Sequence, residues 1–140
     1  IAEAAPARGV LDALAAADVI VVCPSNPFIS IEPILEVPGI RQALRQASAP
    51  VIAISPIVAG EAIKGPTAKM FRELGFTPSP AAVAERYRDF LDIMIVDEQD
   101  AAAEPAVQAL GVETRLAQTV MRTLDDKIRL ARTVLDLAAV

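Results

Sequence analysis

The sequence predicts an α/β fold, with a mostly parallel β-sheet between layers of helices, from three observations. Short β-branched runs alternate about four times with longer segments rich in Ala and Leu, the order expected of strands joined by crossover helices. The runs VIVVC and VIAI are apolar throughout, as strands buried on both faces are. The chain has 140 residues, the size of one domain, and 54% are hydrophobic. Together these patterns predict a Rossmann-like, three-layer α/β/α architecture.

Each predicted element has a local signal. Residues 9–17 are rich in helix-favouring Ala and Leu, and Ser79 is a suitable N-cap before Pro80. The glycine-containing segment after residue 55 predicts a loop. The predicted strands are 19–23, 51–55, 93–96 and a weaker one at 112–117, and the predicted helices are 9–17, 30–36, 40–47, 67–74, 81–91, 104–111 and 124–140. The predicted apolar face of the last helix consists of Leu124, Ile128, Ala131, Leu135 and Ala138.

The composition argues against several classes of function. The chain contains no histidine, which removes His-based triads, His-ligated zinc and imidazole general bases. Its net charge of −5 disfavours a general nucleic-acid binder. No apolar run approaches the ~18 residues of a membrane span, and no signal-peptide pattern begins the chain, so we expect a cytoplasmic protein without a membrane partner. A start at Ile1 rather than Met indicates a piece of a longer protein.

The only cysteine, Cys23, lies in the first apolar run. A lone cysteine cannot form an internal disulfide, which fits a reducing cytoplasm. We expect it to be a small buried core residue and not a reactive thiol.

The end of the first strand is the most informative place in the sequence. Ligands of parallel sheets bind beyond the carboxyl ends of the strands. Here the first strand runs into Pro24, Ser25, Asn26 and Pro27, with Ser30 shortly after. A helix beginning near Ser30 is expected to present free N–H groups to a phosphate, and the prolines stiffen the turn. The same residues also make an ordinary turn, so the pattern alone leaves both interpretations open.

The ends of the other strands carry further polar residues. Ser55 follows the second strand, and a loop with Lys64 and Gly65 comes next. Lys64 and Lys69 are possible phosphate partners, although lone lysines on a surface often bind nothing specific. Gln118 and Thr119 follow the weak fourth strand.

The acidic stretch 97–100 after the third strand has two interpretations. Its carboxylates are suitable magnesium ligands, and they are equally suited to a solvated loop that N-caps the next helix, which we favour. Asp125 and Asp126 match the dipole at the start of the last helix. Tyr87 is expected to be a half-buried packing residue.

Three blocks of the sequence resemble the 2-phospho-L-lactate transferase family of coenzyme F-420 biosynthesis. They are PSNPFISIEPILEVPGIRQAL, APVIAISPIVAGEAIKGPTAKM and AAVAERYRDFLDIMIVDEQD, in that order. The resemblance covers nearly the whole chain, and the PSNPxxSI and SPIxxGxxIKGP patterns are its most specific parts. It implies that residues 1–140 are the C-terminal part of a single α/β transferase domain.

The resemblance also implies a reaction. Members of this family transfer a phospholactyl, phosphoenolpyruvyl or phosphoglyceryl group from a guanosine-diphosphate-activated donor to the deazaflavin Fo, and GMP leaves. Magnesium assists, and full-length relatives tend to be dimers. On this basis the nucleotide and phosphate site comprises Pro24, Ser25, Asn26, Pro27, Ser30, Ser55, Lys64 and Gly65, while no catalytic residue is assigned. Phe28 and Met70 are possible contacts of Fo, although both fit a core better.

Two departures from the family bear on this prediction. The family often has His-Tyr where this chain has Arg86 and Tyr87, so a role for that position is not carried over. Its members are about twice as long, and their glycine-rich loop and metal-binding aspartates lie in the N-terminal half. We therefore expect the magnesium ligands mainly outside this chain, no transferase activity from the chain alone, and an exposed apolar edge or face that favours self-association. Two alternatives remain: a nucleotide- or sugar-nucleotide-binding regulatory module of the gluconeogenesis-factor type, and an α/β domain that binds nothing.

Overall fold

The computed structural model describes residues 4–138, and its centre is a parallel sheet. Four parallel strands lie side by side in the order β1-β2-β5-β6, and a separate pair, β3 and β4, forms an antiparallel hairpin. The strands are β1 (Ile20–Val22), β2 (Val51–Ile54), β3 (Ile57–Val58), β4 (Glu61–Ala62), β5 (Ile93–Asp97) and β6 (Glu113–Ala117). The predicted parallel α/β sheet is confirmed.

Helices connect the parallel strands, as predicted. They are α1 (Val10–Ala15), α2 (Glu32–Leu35), α3 (Ile40–Arg45), α4 (Thr67–Glu73), α5 (Pro80–Tyr87), α6 (Glu104–Gln108) and α7 (Leu124–Ala138). A π-helical turn, Pro27–Ile31, precedes α2, and a 3-10 helix, Glu98–Ala103, precedes α6. The segment predicted as one helix over 30–36 is therefore two short pieces. The Ser79 hydroxyl accepts the Ala82 N–H at 3.1 Å, which is the predicted N-cap of α5.

Strand β2 shows why the sheet has helices on both faces. Val51 and Ala53 face one core, with residues of α3, α5 and α6, whereas Ile52 and Ile54 face a second core with α7. Alternating side chains of a strand point to opposite faces, and every residue of β2 is buried. The uninterrupted apolar run in the sequence reflects this burial on both sides, and the three-layer prediction is confirmed.

The predicted apolar face of α7 is wrong. Leu130 and Val134 are its buried residues and pack against the sheet, with Leu137 beside them. Leu124 and Leu135, which belong to the predicted face, are exposed. The helix has two apolar stripes, and only the position of the sheet decides which of them is covered.

The segment after Ser55 is a hairpin and not the predicted loop. Ile57 and Val58 are buried in it, and the turn at Ala59 and Gly60 has positive φ at both residues, 52° and 74°. Positive φ is strained for alanine. The Asp100 carboxylate accepts the Ala59 N–H at 2.8 Å and ties this turn to the 3-10 helix.

Strand β1 lies at one edge of the four-stranded sheet, and the surface beside it is apolar. A groove of about 320 Å³ runs between β1 and α7, lined by Val21, Cys23, Ala131 and Leu135 among others. Cys23 is exposed there, so its predicted burial is wrong: the edge strand leaves the residue after it uncovered. The groove matches the expected apolar edge, while self-association stays a prediction. Among residues 4–138, no helix is both long and apolar enough to cross a membrane.

Candidate phosphate-binding cleft

A cleft of about 430 Å³ opens at the carboxyl ends of the parallel strands. The ends of β1, β2 and β6 contribute to its wall, as does the chain between β3 and α4. It is lined by Pro24, Ser25, Asn26, Ile29, Ser30, Ser55, Pro56, Val58, Ile63, Lys64, Gly65, Pro66, Thr67, Thr119, Val120 and Met121. Its position and volume suit a small-molecule site of a parallel α/β protein.

Seven of the eight predicted site residues line this one cleft, although 40 residues of sequence separate Ser25 from Gly65. The seven are Pro24, Ser25, Asn26, Ser30, Ser55, Lys64 and Gly65. Pro27 is buried behind them, at the first position of the π-helical turn. The shared location follows from the parallel pairing of β1 with β2, which puts the ends of both strands at the same edge. What these residues bind stays a prediction.

Asn26 organises the turn that follows β1. Its side-chain carbonyl accepts the N–H groups of Phe28 and Ile29 at 2.9 and 3.2 Å, and its backbone carbonyl accepts those of Ser30 and Ile31. The Asn26 amide Nδ2 lies 3.4 Å from the Met70 sulfur. The expected helix with free N–H groups near Ser30 is therefore wrong, because the turn begins at Pro27 and Asn26 already accepts those N–H groups. Asn26 shapes the cleft more than it offers hydrogen bonds to a ligand.

Ser55 is likewise committed to the protein. It is buried, and its hydroxyl both donates to the Ile57 carbonyl and accepts the Ile57 N–H, at 3.1 and 3.2 Å. Its backbone N–H donates to the Ile95 carbonyl. Ser55 therefore fixes the path of the chain from β2 into the hairpin.

Three hydroxyls and one ammonium of the cleft are not paired with other groups of residues 4–138, and one of the three hydroxyls belongs to Thr67, which is only 2% exposed. Within the described residues, the Ser25, Ser30 and Thr67 hydroxyls have no hydrogen-bond partner, and Lys64 has no carboxylate within 4 Å. No Asp or Glu from residues 4–138 lines the cleft, in a chain with net charge −5. Lys69, the other predicted lysine, lies outside the cleft and pairs with Glu73 at 3.6 Å. The cleft therefore favours an anion with several oxygen atoms.

Asp97, at the end of β5, holds one residue of the cleft wall in place. One carboxylate oxygen accepts the backbone N–H and the hydroxyl of Thr119, at 2.8 and 2.9 Å, and the other accepts the backbone and side-chain N–H groups of Gln99. Burial by itself raises the pKa of Asp97, but these hydrogen bonds outweigh burial and hold the pKa below its ordinary value. Because Thr119 lines the cleft, Asp97 fixes that part of the wall.

Two carboxylates of the acidic stretch accept backbone N–H groups, and magnesium binding by this stretch stays a prediction. Asp97 N-caps the 3-10 helix Glu98–Ala103, which the sequence did not predict, while the predicted helix that follows, α6, has no side-chain cap. Asp97 is buried, so the favoured interpretation of a solvated loop is wrong at this residue. Asp100 holds the hairpin turn. In the part of the chain described, no three His, Cys, Asp or Glu side chains are grouped to hold a metal ion. Asp126 accepts the N–H of Thr123, and the Thr123 hydroxyl accepts the N–H of Asp126, so these residues cap α7.

Arg86 and Tyr87 have structural roles. The Arg86 guanidinium pairs with Glu32 at 3.1 Å and lies 4.5 Å over the Phe28 ring, so it fastens the π-helical turn and α2 to α5. Its Nε is the one buried side-chain nitrogen or oxygen without a partner in residues 4–138. Tyr87 is fully buried and not half-buried, and burial raises its pKa. Neither residue lines the cleft.

A second arginine reinforces the same region. Arg41, from α3, binds both carboxylate oxygens of Asp89, at 2.6 and 2.9 Å, and donates to the Arg86 carbonyl at 2.8 Å. The hydrogen bond with Asp89 raises the pKa of Arg41. Arg41 thus holds Arg86 in position, and Arg86 in turn pairs with Glu32 next to the turn after β1.

Among the cleft residues that the predicted site did not include, four bear most on what the cleft binds. Thr67 reaches it from the start of α4, and Ile29, Ile63 and Met121 form an apolar part of its rim. The possible Fo contacts Phe28 and Met70 do not line it; Phe28 packs edge-on against Phe71 at 4.7 Å. Ile29, Ile63 and Thr67 lie within the sequence blocks that resemble the family, but no short pattern in those blocks marks them as cleft residues.

The fold and the cleft define a class of protein, a parallel α/β protein with a cleft lined by serines, a threonine and a lysine at the carboxyl ends of its strands. A family model for the 2-phospho-L-lactate transferase CofD matches residues 1–131. The chain belongs to this family.

Curated relatives agree with that assignment. The chain is 43% identical over 137 residues to a phosphoenolpyruvate transferase of Streptomyces griseus, covering 97% of this chain and 43% of the relative. It is 40% identical over 130 residues to a 2-phospho-L-lactate transferase of Methanothermobacter thermautotrophicus, covering 93% of this chain and 42% of the relative. The chain thus spans less than half the length of the curated relatives it matches.

Solved structures share the fold. A protein of the UPF0052 family from Bacillus halodurans superimposes with a TM-score of 0.66 at 20% sequence identity, over 94% of this chain and 47% of that chain. At this level of identity the likeness concerns the fold alone.

Proposed function

We propose that this chain carries the nucleotide-phosphate part of a transferase of coenzyme F-420 biosynthesis. In the reaction, a phospholactyl, phosphoenolpyruvyl or phosphoglyceryl group moves from a guanosine-diphosphate-activated donor to the deazaflavin Fo, and GMP is released. The match of the family model to residues 1–131 carries the proposal.

The chemistry of the cleft supports this proposal. A diphosphate offers several acceptor oxygens and negative charge, and the Ser25, Ser30 and Thr67 hydroxyls and the Lys64 ammonium are complementary to both. These residues bind and orient the phosphates. The rigid turn made by Asn26 preserves their geometry, which reduces the free energy lost on ordering the site.

Magnesium, which the family implies, is proposed to bind through residues outside this chain. Within residues 4–138 no three His, Cys, Asp or Glu side chains are grouped together, and Asp97 and Asp100 accept backbone N–H groups. We therefore assign no metal ligand within these residues. For the same reason we propose that the chain by itself does not complete the transfer.

An exchange experiment tests the function. The chain replaces the matched 137 residues of the Streptomyces griseus relative, and GMP release is measured with Fo and each of the three donors. We expect release with at least one donor, and at least about tenfold less release with Lys64→Met, because a charge-assisted contact contributes ~1.5–3 kcal/mol. Lys69→Met is the control, since Lys69 lies outside the cleft.

Two outcomes contradict the proposal. One is a folded hybrid, with a melting temperature near that of the parent enzyme, that releases no GMP with any donor. The other is equal loss of activity in the two lysine variants. A regulatory module of the gluconeogenesis-factor type is expected to ignore Fo, so binding of Fo to the hybrid separates that alternative from the transferase.

A further inference from the structure

The turn of the β3–β4 hairpin is strained and lies next to the cleft. Ala59 has a φ of 52°, a left-handed conformation that alanine rarely adopts, and Gly60 follows with 74°. Such strain persists only where the surrounding structure imposes it, and it is concentrated at functional sites. Val58, the residue before the turn, lines the cleft. The contacts that hold this turn therefore bear on the shape of the cleft.

Two side chains from outside the hairpin bind its turn. The Asp100 carboxylate, in the 3-10 helix after β5, accepts the Ala59 N–H at 2.8 Å. From α4, Arg72 pairs with Glu61 and donates to the Gly60 carbonyl at 3.4 Å. Of the two, Asp100 contacts the strained residue itself. It is therefore the group that holds Ala59 in its left-handed conformation.

The hairpin leads directly to four cleft residues, which we call loop 63–66. Ile63, Lys64, Gly65 and Pro66 lie between β4 and α4, and all four line the cleft. Residues 63–65 make no backbone hydrogen bond to the rest of the described chain. The position of this loop is therefore set by the two elements at its ends, the hairpin and α4.

We propose that Asp100 is a positioning residue of the cleft: by holding Ala59 it fixes the hairpin and, through loop 63–66, the Lys64 ammonium. The inference rests on the proposed function, in which Lys64 binds phosphate, and adds to it a residue that does not line the cleft. A lysine that is already ordered binds an anion more tightly, because less conformational entropy is lost on binding. Charge alone predicts the opposite effect, since loss of the Asp100 carboxylate leaves less negative charge near the anion.

Calorimetric titration with GDP, in the presence of EDTA so that no metal contributes, tests this role. Asp100→Ala is expected to weaken binding about three- to tenfold, which is the effect of ordering one long side chain on binding. Asp100→Asn keeps an acceptor for the Ala59 N–H and is expected to bind GDP like the wild type. Asp136→Ala is the matched control: it removes the same charge from α7, outside the cleft, and is expected not to weaken binding.

Relief of the strain separates positioning from a general loss of structure. Glycine adopts positive φ without steric strain, so Ala59→Gly added to Asp100→Ala is expected to keep the turn and to restore GDP binding. In a Lys64→Met background, Asp100→Ala is expected to have no further effect, because Asp100 acts through Lys64. Circular dichroism verifies that each variant folds.

Amide chemical shifts provide a measurement that needs no ligand. In the free chain, Asp100→Ala is expected to move the resonances of Lys64 and Gly65, and the added Ala59→Gly is expected to return them toward their positions in the wild type. Asp136→Ala is expected to leave both unchanged.

The outcomes separate this inference from the proposed function. If the wild type binds GDP and Asp100→Ala binds it as tightly, or if Ala59→Gly does not restore the binding that Asp100→Ala loses, the positioning role is overturned and the phosphate site stands. If the wild type does not bind GDP but the Lys64 and Gly65 resonances respond as expected, the phosphate assignment fails and the positioning role stands. Absence of both GDP binding and the shift changes contradicts both.

Discussion

Replacement of Asp97 by alanine is expected to lower the free energy of unfolding by about 3 kcal/mol or more. The buried carboxylate accepts hydrogen bonds from Thr119 and Gln99, and its removal leaves the Thr119 N–H and hydroxyl without an acceptor. Each unsatisfied buried donor costs ~1–3 kcal/mol. Urea denaturation measures the change. Asp97→Asn, which keeps one carbonyl oxygen, is expected to be intermediate.

The contribution of Asp97 to the free energy of unfolding is expected to decrease as the pH falls. Its pKa in the folded chain is below the ordinary value of about 3.9, so its ionisation stabilises the fold above that pH, and this stabilisation is lost as the pH falls toward the folded-state pKa. Denaturation of wild type and Asp97→Asn at about pH 6 and about pH 3 should show a smaller difference at the lower pH. Asp89 and Asp126 also have lowered pKa values, but they are common to both proteins and cancel in the comparison. A difference that is constant or grows on acidification contradicts the account.

The second large effect concerns Asn26. Its replacement by alanine and by aspartate should separate the effect on the free energy of unfolding from the effect on GDP binding. Asn26→Ala removes the side-chain acceptor for the Phe28 and Ile29 N–H groups, and the expected cost is about 1–2 kcal/mol of stability together with weaker binding of GDP. Asn26→Asp keeps the acceptor and most of the stability. It also adds a negative charge to the cleft wall, so GDP should bind about tenfold more weakly.

Denaturation and calorimetry on the same samples measure both quantities. Ser79→Ala is a control for the loss of an N-cap away from the cleft, because the Ser79 hydroxyl caps α5. It should destabilise the chain without an effect on GDP binding. If Asn26→Asp binds GDP as tightly as the wild type, the diphosphate does not lie beside the turn after β1.

The fold was predictable because its signals are local. The runs at β1, β2 and β5 are apolar and largely β-branched, and the separators carry Pro, Gly and N-cap residues. Only β2 and β5 are buried throughout, however, because β1 is an edge strand with Val21 exposed. The position of the cleft followed as well, since parallel strands place Ser25 and Ser55 at one edge. The Ser79 cap of α5 was likewise predictable from residue type and position.

Other features depend on distant contacts and left no local signal. The hairpin at Ile57–Val58 is only two residues per strand, and its strained Ala59 is held by Asp100, which lies 41 positions away. The exposure of Cys23 results from the position of β1 at the sheet edge. The covered stripe of α7 depends on where the sheet lies. Thr67 lines the cleft in a fold where α4 packs against the turn after β1, with Phe71 against Phe28.

The most direct test of the phosphate cleft is an amide chemical-shift titration of the isotope-labelled chain with GDP. We expect the largest shifts at Ser25, Ser30, Gly65 and Thr67, which line the cleft, and little change at Ser48 and Glu113, at the opposite ends of the strands. Saturable shifts at the cleft residues support the account. Shifts confined to the groove between β1 and α7, or no shift at the cleft in the folded chain at high GDP concentration, contradict it.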